Sequence, residues 1–157
     1  MSDSPYLVFQ DELSTGVDYR VPRANMITRV GAHVVHPLFK SHHGEDHRGV
    51  EIIRLALVHL RGVGRDTHID TDTLLRLMGQ KNLRPASLEE LLVFISLLRP
   101  FKKGHISTIR ALGSVWKDAD GAIVSPYLHD YVDVRTVSLG WHYYFWKDYN
   151  TFLTVRC

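Results

Sequence analysis

The chain has 157 residues, of which 45% are hydrophobic and 23% are charged, and its formal net charge is +2. These proportions exclude an intrinsically disordered chain and are typical of one globular domain, which we expect to span residues 1–157. The small net charge neither requires nor excludes nucleic acid as a partner.

The only cysteine is Cys157, which excludes an intrachain disulfide and favours a reducing compartment. No apolar run approaches the roughly 18 residues of a membrane span. The acidic N-terminus also lacks the apolar core of a signal peptide. We therefore expect a soluble, cytoplasmic protein that does not bind membranes.

Residues 1–40 are expected to form an irregular β-containing arm. Apolar runs at 6–9 and 26–27 are separated by Gly16 and Pro22, residue types that interrupt regular structure. A polar loop is then expected before the first helix.

The next segment, 49–61, has apolar residues at helical spacing, which predicts the first helix. These residues are Val50, Ile53, Ala56, Leu57 and Leu60. Gly62 and Gly64 follow them and are expected to end the helix.

Two further helices are predicted from signals in their first turns. Asp70 starts the second helix, since its side chain can accept a hydrogen bond from a free first-turn N–H group. Ser87 and Glu90 have the spacing of a capping box, in which each side chain bonds the other residue's backbone N–H. The capping box starts a third helix at 87–98, which completes a helical part at 49–99.

The third helix is apolar on nearly every face, so we expect it to be buried, with Leu92 and Ile95 almost fully covered. Three helices followed by a hairpin resemble the order of a winged helix, in which this helix enters the DNA major groove. Here its first turn carries Glu89 and Glu90, and such a surface repels phosphate.

The last part of the chain, 104–157, changes to the alternation that is typical of strands. Residues 118–121 are expected to be the turn of a first hairpin, because Gly121 tolerates a positive φ angle. Strict alternation over 137–145 predicts the clearest strand of the chain. Residues 152–155 are then expected to close a second hairpin.

Together these elements predict an α+β fold class. The expected architecture is an N-terminal β-containing arm, three central helices and a C-terminal antiparallel sheet of two hairpins. The sequence contains no internal repeat, and no segment has the composition of an interdomain linker.

An aromatic-rich C-terminal hairpin is the strongest binding feature of the sequence. If Trp141, Tyr143 and Phe145 face the core, a period of two turns the alternate residues outward. Exposed Trp and Tyr side chains are typical of interface hot spots. The predicted partner-binding residues are His142, Tyr144, Trp146 and Tyr149 in this hairpin, with Arg99, Lys102 and Lys103 in a basic run. A wider basic patch would add Arg20, Arg23, Arg29, Lys40 and Arg110.

Histidines and carboxylates are concentrated between His33 and His47, and these are the usual ligands of zinc. The stretch 41–47 partly resembles the metallo-β-lactamase signature, with His42, Asp46 and His47 at its first, third and fourth fixed positions. Gly44 stands where the signature has its second histidine, so the primary zinc triad is incomplete. We interpret the segment as a polar loop, and a zinc-dependent hydrolase that uses this cluster is the alternative.

The remaining catalytic motifs are absent from the sequence. It contains no phosphate-binding loop, no dinucleotide-binding glycine pattern and no nucleophile elbow. We therefore expect a small non-catalytic protein without a cofactor that binds a macromolecular partner. A protein partner is favoured slightly over nucleic acid because the net charge is only +2.

Overall fold

The computed structural model describes residues 4–22, 25–27, 49–97, 106–131 and 134–157. Among the described residues, strands predominate over helices, and the strands form one mixed eight-stranded sheet. The prediction of an α+β fold with three central helices and a sheet of two C-terminal hairpins is therefore wrong. Sheet dominates, and it begins near the start of the chain.

The described strands are β1 (Tyr6–Asp18), β2 (Val50–Arg61), β3 (Leu83–Pro85), β4 (Ile106–Arg110), β5 (Trp116–Lys117), β6 (Ile123–Tyr131), β7 (Val134–Trp141) and β8 (Thr151–Arg156). The two longer helices are α1 (Thr71–Gln80) and α2 (Leu88–Leu97), and residues 25–27 are also helical. The main strand order is β1-β2-β8-β4-β6-β5, while β3 pairs with β8 and β7 pairs with β6.

The first two strands form a long antiparallel pair, which runs from Tyr6 opposite Arg61 to Asp18 opposite Val50 with a register shift between Phe9 and Asp11. The prediction of irregular structure is thus wrong for residues 6–18, where Gly16 lies within the strand. The predicted first helix at 49–61 is also wrong, because this segment is β2. Residues 55–60 are covered on both sheet faces, so their apolar run fits helical spacing as well as a central strand.

The C-terminal strand β8 lies at the centre of the sheet. One of its edges pairs with β2, and the other pairs with β3 and, in parallel orientation, with β4. The predicted hairpin between 137–145 and 152–155 is therefore wrong, since β7 pairs with β6 along its whole length. A central strand needs apolar residues on both faces, and the four residues 152–155 are all buried.

The predicted turn at 118–121 is confirmed. The backbone N–H of Asp118 donates to the carbonyl oxygen of Ala122 at 2.9 Å, and Gly121 has a φ angle of 84°. The turn joins β5 to β6, which form the predicted first hairpin.

Two apolar clusters pack on opposite faces of the sheet. The first cluster includes Leu55, Leu91, Ile95, Leu153 and Val155, so that α2 covers this face. The second cluster includes Ala56, Val58, Leu74, Met78, Trp146 and Phe152, so that α1 covers the other face. Leu92 and Ile95 are almost fully buried, which confirms the prediction for the third helix.

Both predicted helix starts are confirmed. Asp70 caps α1, and its side chain accepts a hydrogen bond from the backbone N–H of Thr73 at 2.8 Å. At α2 the side chain of Glu90 accepts from the N–H of Ser87 at 2.7 Å, and Ser87 Oγ accepts from the N–H of Glu90 at 3.3 Å.

Within the described ranges, no helix has the length and apolarity needed to cross a membrane.

Replacing Asp70 with alanine is expected to lower the free energy of unfolding, because a first-turn N–H of α1 loses its acceptor. Equilibrium urea denaturation of the variant and the wild type measures this difference. Asp70→Asn, which keeps a capping oxygen, is the control and should lose much less. Equal losses in the two variants would contradict the capping role.

Candidate binding surface

Several predicted site residues lie outside the described residues. They are Arg99, Lys102 and Lys103 of the basic run, the zinc candidates His42, Asp46 and His47, and the patch members Arg23, Arg29 and Lys40. Among the residues that are described, no group of three or more His, Cys, Asp or Glu side chains could hold a metal ion. The zinc alternative therefore stays a prediction.

The aromatic residues of the predicted hairpin lie in a loop at 141–150, which we call the aromatic loop. Strand β7 ends at Trp141, so the alternation stops there. Trp141, Tyr143 and Phe145 were predicted to face the core, but all three are exposed. His142 and Trp146 were predicted to point outward, but both are buried. The predicted orientation is thus wrong for these five residues, while Tyr144 and Tyr149 are exposed as expected.

Trp146 anchors the aromatic loop to the second apolar cluster. Its backbone forms an antiparallel bridge with Ile69, through hydrogen bonds of 2.8 and 2.9 Å. Its indole Nε1 donates to Thr71 Oγ1 at 3.0 Å, and its ring meets Phe152 edge to face at 5.1 Å. The start of α1 and the centre of the sheet therefore fix the middle of the loop.

His142 holds the beginning of the loop. Its carbonyl oxygen accepts a hydrogen bond of 2.6 Å from Thr71 Oγ1, and its N–H donates to Ile123. Among the described residues, its buried Nδ1 has no hydrogen-bond partner. Burial lowers the pKa of His142, although the nearby charge of Asp72 opposes this shift. The neutral imidazole is therefore favoured in the folded loop.

Hydrogen bonds also fix the end of the loop. Asn150 Oδ1 accepts from the N–H of Lys147 at 2.8 Å, and the N–H of Tyr149 donates to Leu60 at 2.8 Å. Asp148 Oδ1 accepts from the N–H of Val63 at 2.9 Å. Residues 147–150 of the loop are thus bonded to strand β2 and to the segment that follows β2.

Five large rings stand out from this fixed backbone. Trp141, Tyr143, Tyr144, Phe145 and Tyr149 are between 43% and 69% exposed. A second layer that covered the loop would have buried them, and such a cluster of exposed rings is unusual for a surface without a partner.

Neighbouring side chains hold some of these rings. The Tyr149 ring lies under the guanidinium of Arg61, 4.6 Å from its centroid. The Phe145 ring lies 4.2 Å from His68, and Trp141 lies 6.3 Å from Tyr144. Rings that already have a preferred position lose less freedom when a partner covers them.

Beside the loop, Arg110 projects from the end of β4. It pairs with Tyr127 on β6 and with Phe152 on β8, and residues directly opposite in a sheet share a face. Its guanidinium carbon lies 5.0 Å from the Trp146 ring centroid and 5.7 Å from that of Tyr144. Arg110 was predicted only as a member of a basic patch, because the pairings that bring it to the aromatic loop are not local in sequence.

A buried charged group lies elsewhere, at the start of α2. Glu90 accepts hydrogen bonds from Arg84, from the hydroxyl of Tyr19 and from the N–H of Ser87. Both carboxylate oxygens are engaged by the protein, so this group stabilises the fold and is not available to a ligand. Arg20, another predicted patch member, is paired with Asp18 at 2.9 Å.

On the described surface, exposed rings lie beside the guanidinium of Arg110, an arrangement that is suited to binding. Comparisons of the chain with protein-family models, with curated proteins and with solved structures each found no match.

Proposed function

We propose that this chain is a small non-catalytic protein that binds a protein partner through the aromatic loop. The observation that carries the proposal is the exposure of five large rings on a loop whose backbone is held by Thr71, Ile69 and Leu60. Rigid Trp and Tyr side chains bury much apolar area on binding and lose little conformational freedom.

A protein partner is preferred to nucleic acid because acidic side chains accompany the rings. Asp148 lies within the aromatic loop, and Asp118 lines a surface cavity that Trp141 also lines. These carboxylates offset the nearby cations Arg61 and Arg110, and the whole chain carries a formal net charge of only +2. The proposal includes a cytoplasmic location, which the single cysteine supports.

Replacing Trp141 with alanine is expected to weaken partner binding by about 2 kcal/mol, which is roughly 30-fold, because this side chain is 63% exposed and free to be covered. The partner is first captured with wild-type protein and identified by mass spectrometry. Calorimetry with the purified partner then gives the dissociation constant of each variant.

Phe9→Ala is the matched control, since Phe9 is an exposed ring on the edge strand β1. It should bind the partner as the wild type does. A partner that binds Trp141→Ala and Tyr144→Ala as tightly as the wild type would refute the aromatic loop as the interface. If the wild type binds a single-stranded oligonucleotide in a salt-dependent way and the same two variants lose this binding, the partner is nucleic acid and not a protein.

A further inference from the structure

In the described part of the chain, Arg110 is a partly buried cation without an anionic partner. Among the described residues, no carboxylate or carbonyl oxygen accepts a hydrogen bond from its guanidinium, whose neighbours are the rings of Tyr127, Tyr144 and Trp146. Burial lowers the pKa of Arg110, because the cation loses water that no carboxylate replaces. The guanidinium still keeps its charge at neutral pH. An anion that reached this group would therefore restore the interaction that burial removed.

The guanidinium borders a cavity of about 430 Å³ at the edge of the aromatic loop. Trp141 and Tyr144 form part of its wall, and Gly140 lies beside the cation. A Cβ atom at Gly140 would lie only 3.0 Å from Arg110 Nη1 and 3.3 Å from the Tyr127 ring. The absence of a side chain at this position thus leaves room for the guanidinium.

The anion that suits this cavity depends on Asp118, which also lines it. Its Oδ1 is already held by the backbone N–H groups of Asp120 and Ala122, at 3.0 and 2.9 Å. Its negative charge disfavours a phosphate dianion more than a carboxylate monoanion. A planar carboxylate also matches the two parallel N–H groups of a guanidinium, and the rings suit an apolar group next to it.

We propose that this cavity takes up a carboxylate of the protein partner, with Arg110 as its charged contact and Trp141 and Tyr144 against the adjoining apolar group. This inference rests on the proposed function, because it assigns the chemistry of the partner at one end of the aromatic loop. The carboxylate belongs either to a chain terminus or to an Asp or Glu side chain.

Small probes test the cavity without the partner. N-acetylphenylalanine stands for a terminal carboxylate, N-acetylaspartic acid α-amide stands for a side-chain carboxylate, and N-acetylphenylalaninamide is the uncharged control. The indole N–H signal of Trp146 reports binding in NMR titrations, because its ring lies 5.0 Å from the Arg110 guanidinium. The signal of Trp116, which packs in the first apolar cluster, is the internal reference.

At least one of the two acids should shift the Trp146 signal in a saturable way, and the stronger one identifies the source of the carboxylate. Arg110→Gln should weaken this binding by about tenfold or more, whereas Arg54→Gln, at an exposed position on β2, should leave it unchanged. Gly140→Ala keeps the charge but fills the space beside it, so it should also weaken binding. This variant replaces Arg110→Gln in the test if Arg110→Gln proves unstable.

Three results would overturn the carboxylate site. They are binding of neither acid more tightly than the uncharged amide, unchanged binding of the acids by both cavity variants, and tighter binding of inorganic phosphate than of either acid. None of these three results decides the proposed function, which has its own test. Trp141→Ala measures how much an exposed ring contributes to partner binding and does not change the Arg110 cation. Conversely, acid binding that depends on Arg110 would support the carboxylate site even if Trp141→Ala kept full partner affinity.

Discussion

Replacing Trp146 with alanine is expected to lower the free energy of unfolding by about 3–5 kcal/mol. The side chain is 0% exposed and packs against Phe152, so its loss leaves a cavity in the second apolar cluster. Thr71 Oγ1 also loses the hydrogen bond that it accepts from the indole. Urea denaturation followed by circular dichroism measures the change.

Trp141→Ala is the matched control for this variant. It removes the same side chain five residues earlier, at a position that is 63% exposed, and should change the free energy of unfolding by about 0.5 kcal/mol or less. Equal losses in the two variants would contradict the division of the loop into a buried anchor and an exposed binding surface. Trp146→Phe should recover part of the loss, because it refills most of the cavity but not the hydrogen bond.

Local signals made the two longer helices predictable. The cap at Asp70 and the capping box of Ser87 and Glu90 depend on residues that lie three positions apart. The turn at 118–121 depends on four consecutive residues in the same way. Sequence reasoning succeeded where the interacting atoms belong to one short segment.

The sheet was harder to predict because its pairings are distant in sequence. The apolar spacing of β2 predicts a helix, since Ala56, Leu57 and Leu60 fit both periods once both faces are buried. The β-branched residues Ile52 and Ile53 favour a strand, but this preference is weak beside the periodic pattern. Only the pairing with β1 and β8 decides between the two structures.

The aromatic loop was located by sequence, but the orientation of its side chains was not. Side chains alternate between the two sheet faces only as far as β7 extends, which is to Trp141. Beyond this point Trp146 is buried, because it bonds to Thr71 and forms a bridge with Ile69. These contacts join segments more than 70 residues apart. Arg110 reaches the loop through strand pairing alone, so no local pattern distinguished it from other basic residues.

A second large effect is expected at the buried carboxylate of α2. Glu90→Ala should lower the free energy of unfolding by about 3 kcal/mol or more, because three donor groups lose their acceptor. These are the Tyr19 hydroxyl, the Ser87 N–H and the guanidinium of Arg84. Urea denaturation at pH 7 measures the loss. Glu12→Gln, which breaks an exposed ion pair with Arg156, is the control and should cost about 1 kcal/mol or less.

The contribution of Glu90 should also depend on pH. Burial acts to raise its pKa, but the hydrogen bonds from Arg84 and Tyr19 outweigh this effect and hold the pKa below its ordinary value of 4.5. The folded state therefore binds this proton less tightly than the unfolded state, and the stabilisation is complete above pH 4.5. It is lost as the pH falls through the lower pKa of the folded protein. In Glu90→Gln this group no longer titrates, so the difference in stability between wild type and variant should shrink as the pH falls from 7 to 3. If the difference in stability between wild type and Glu90→Gln stayed constant over this range, it would contradict the lowered pKa of Glu90. The loss of stability would then be explained by the lost hydrogen bonds alone.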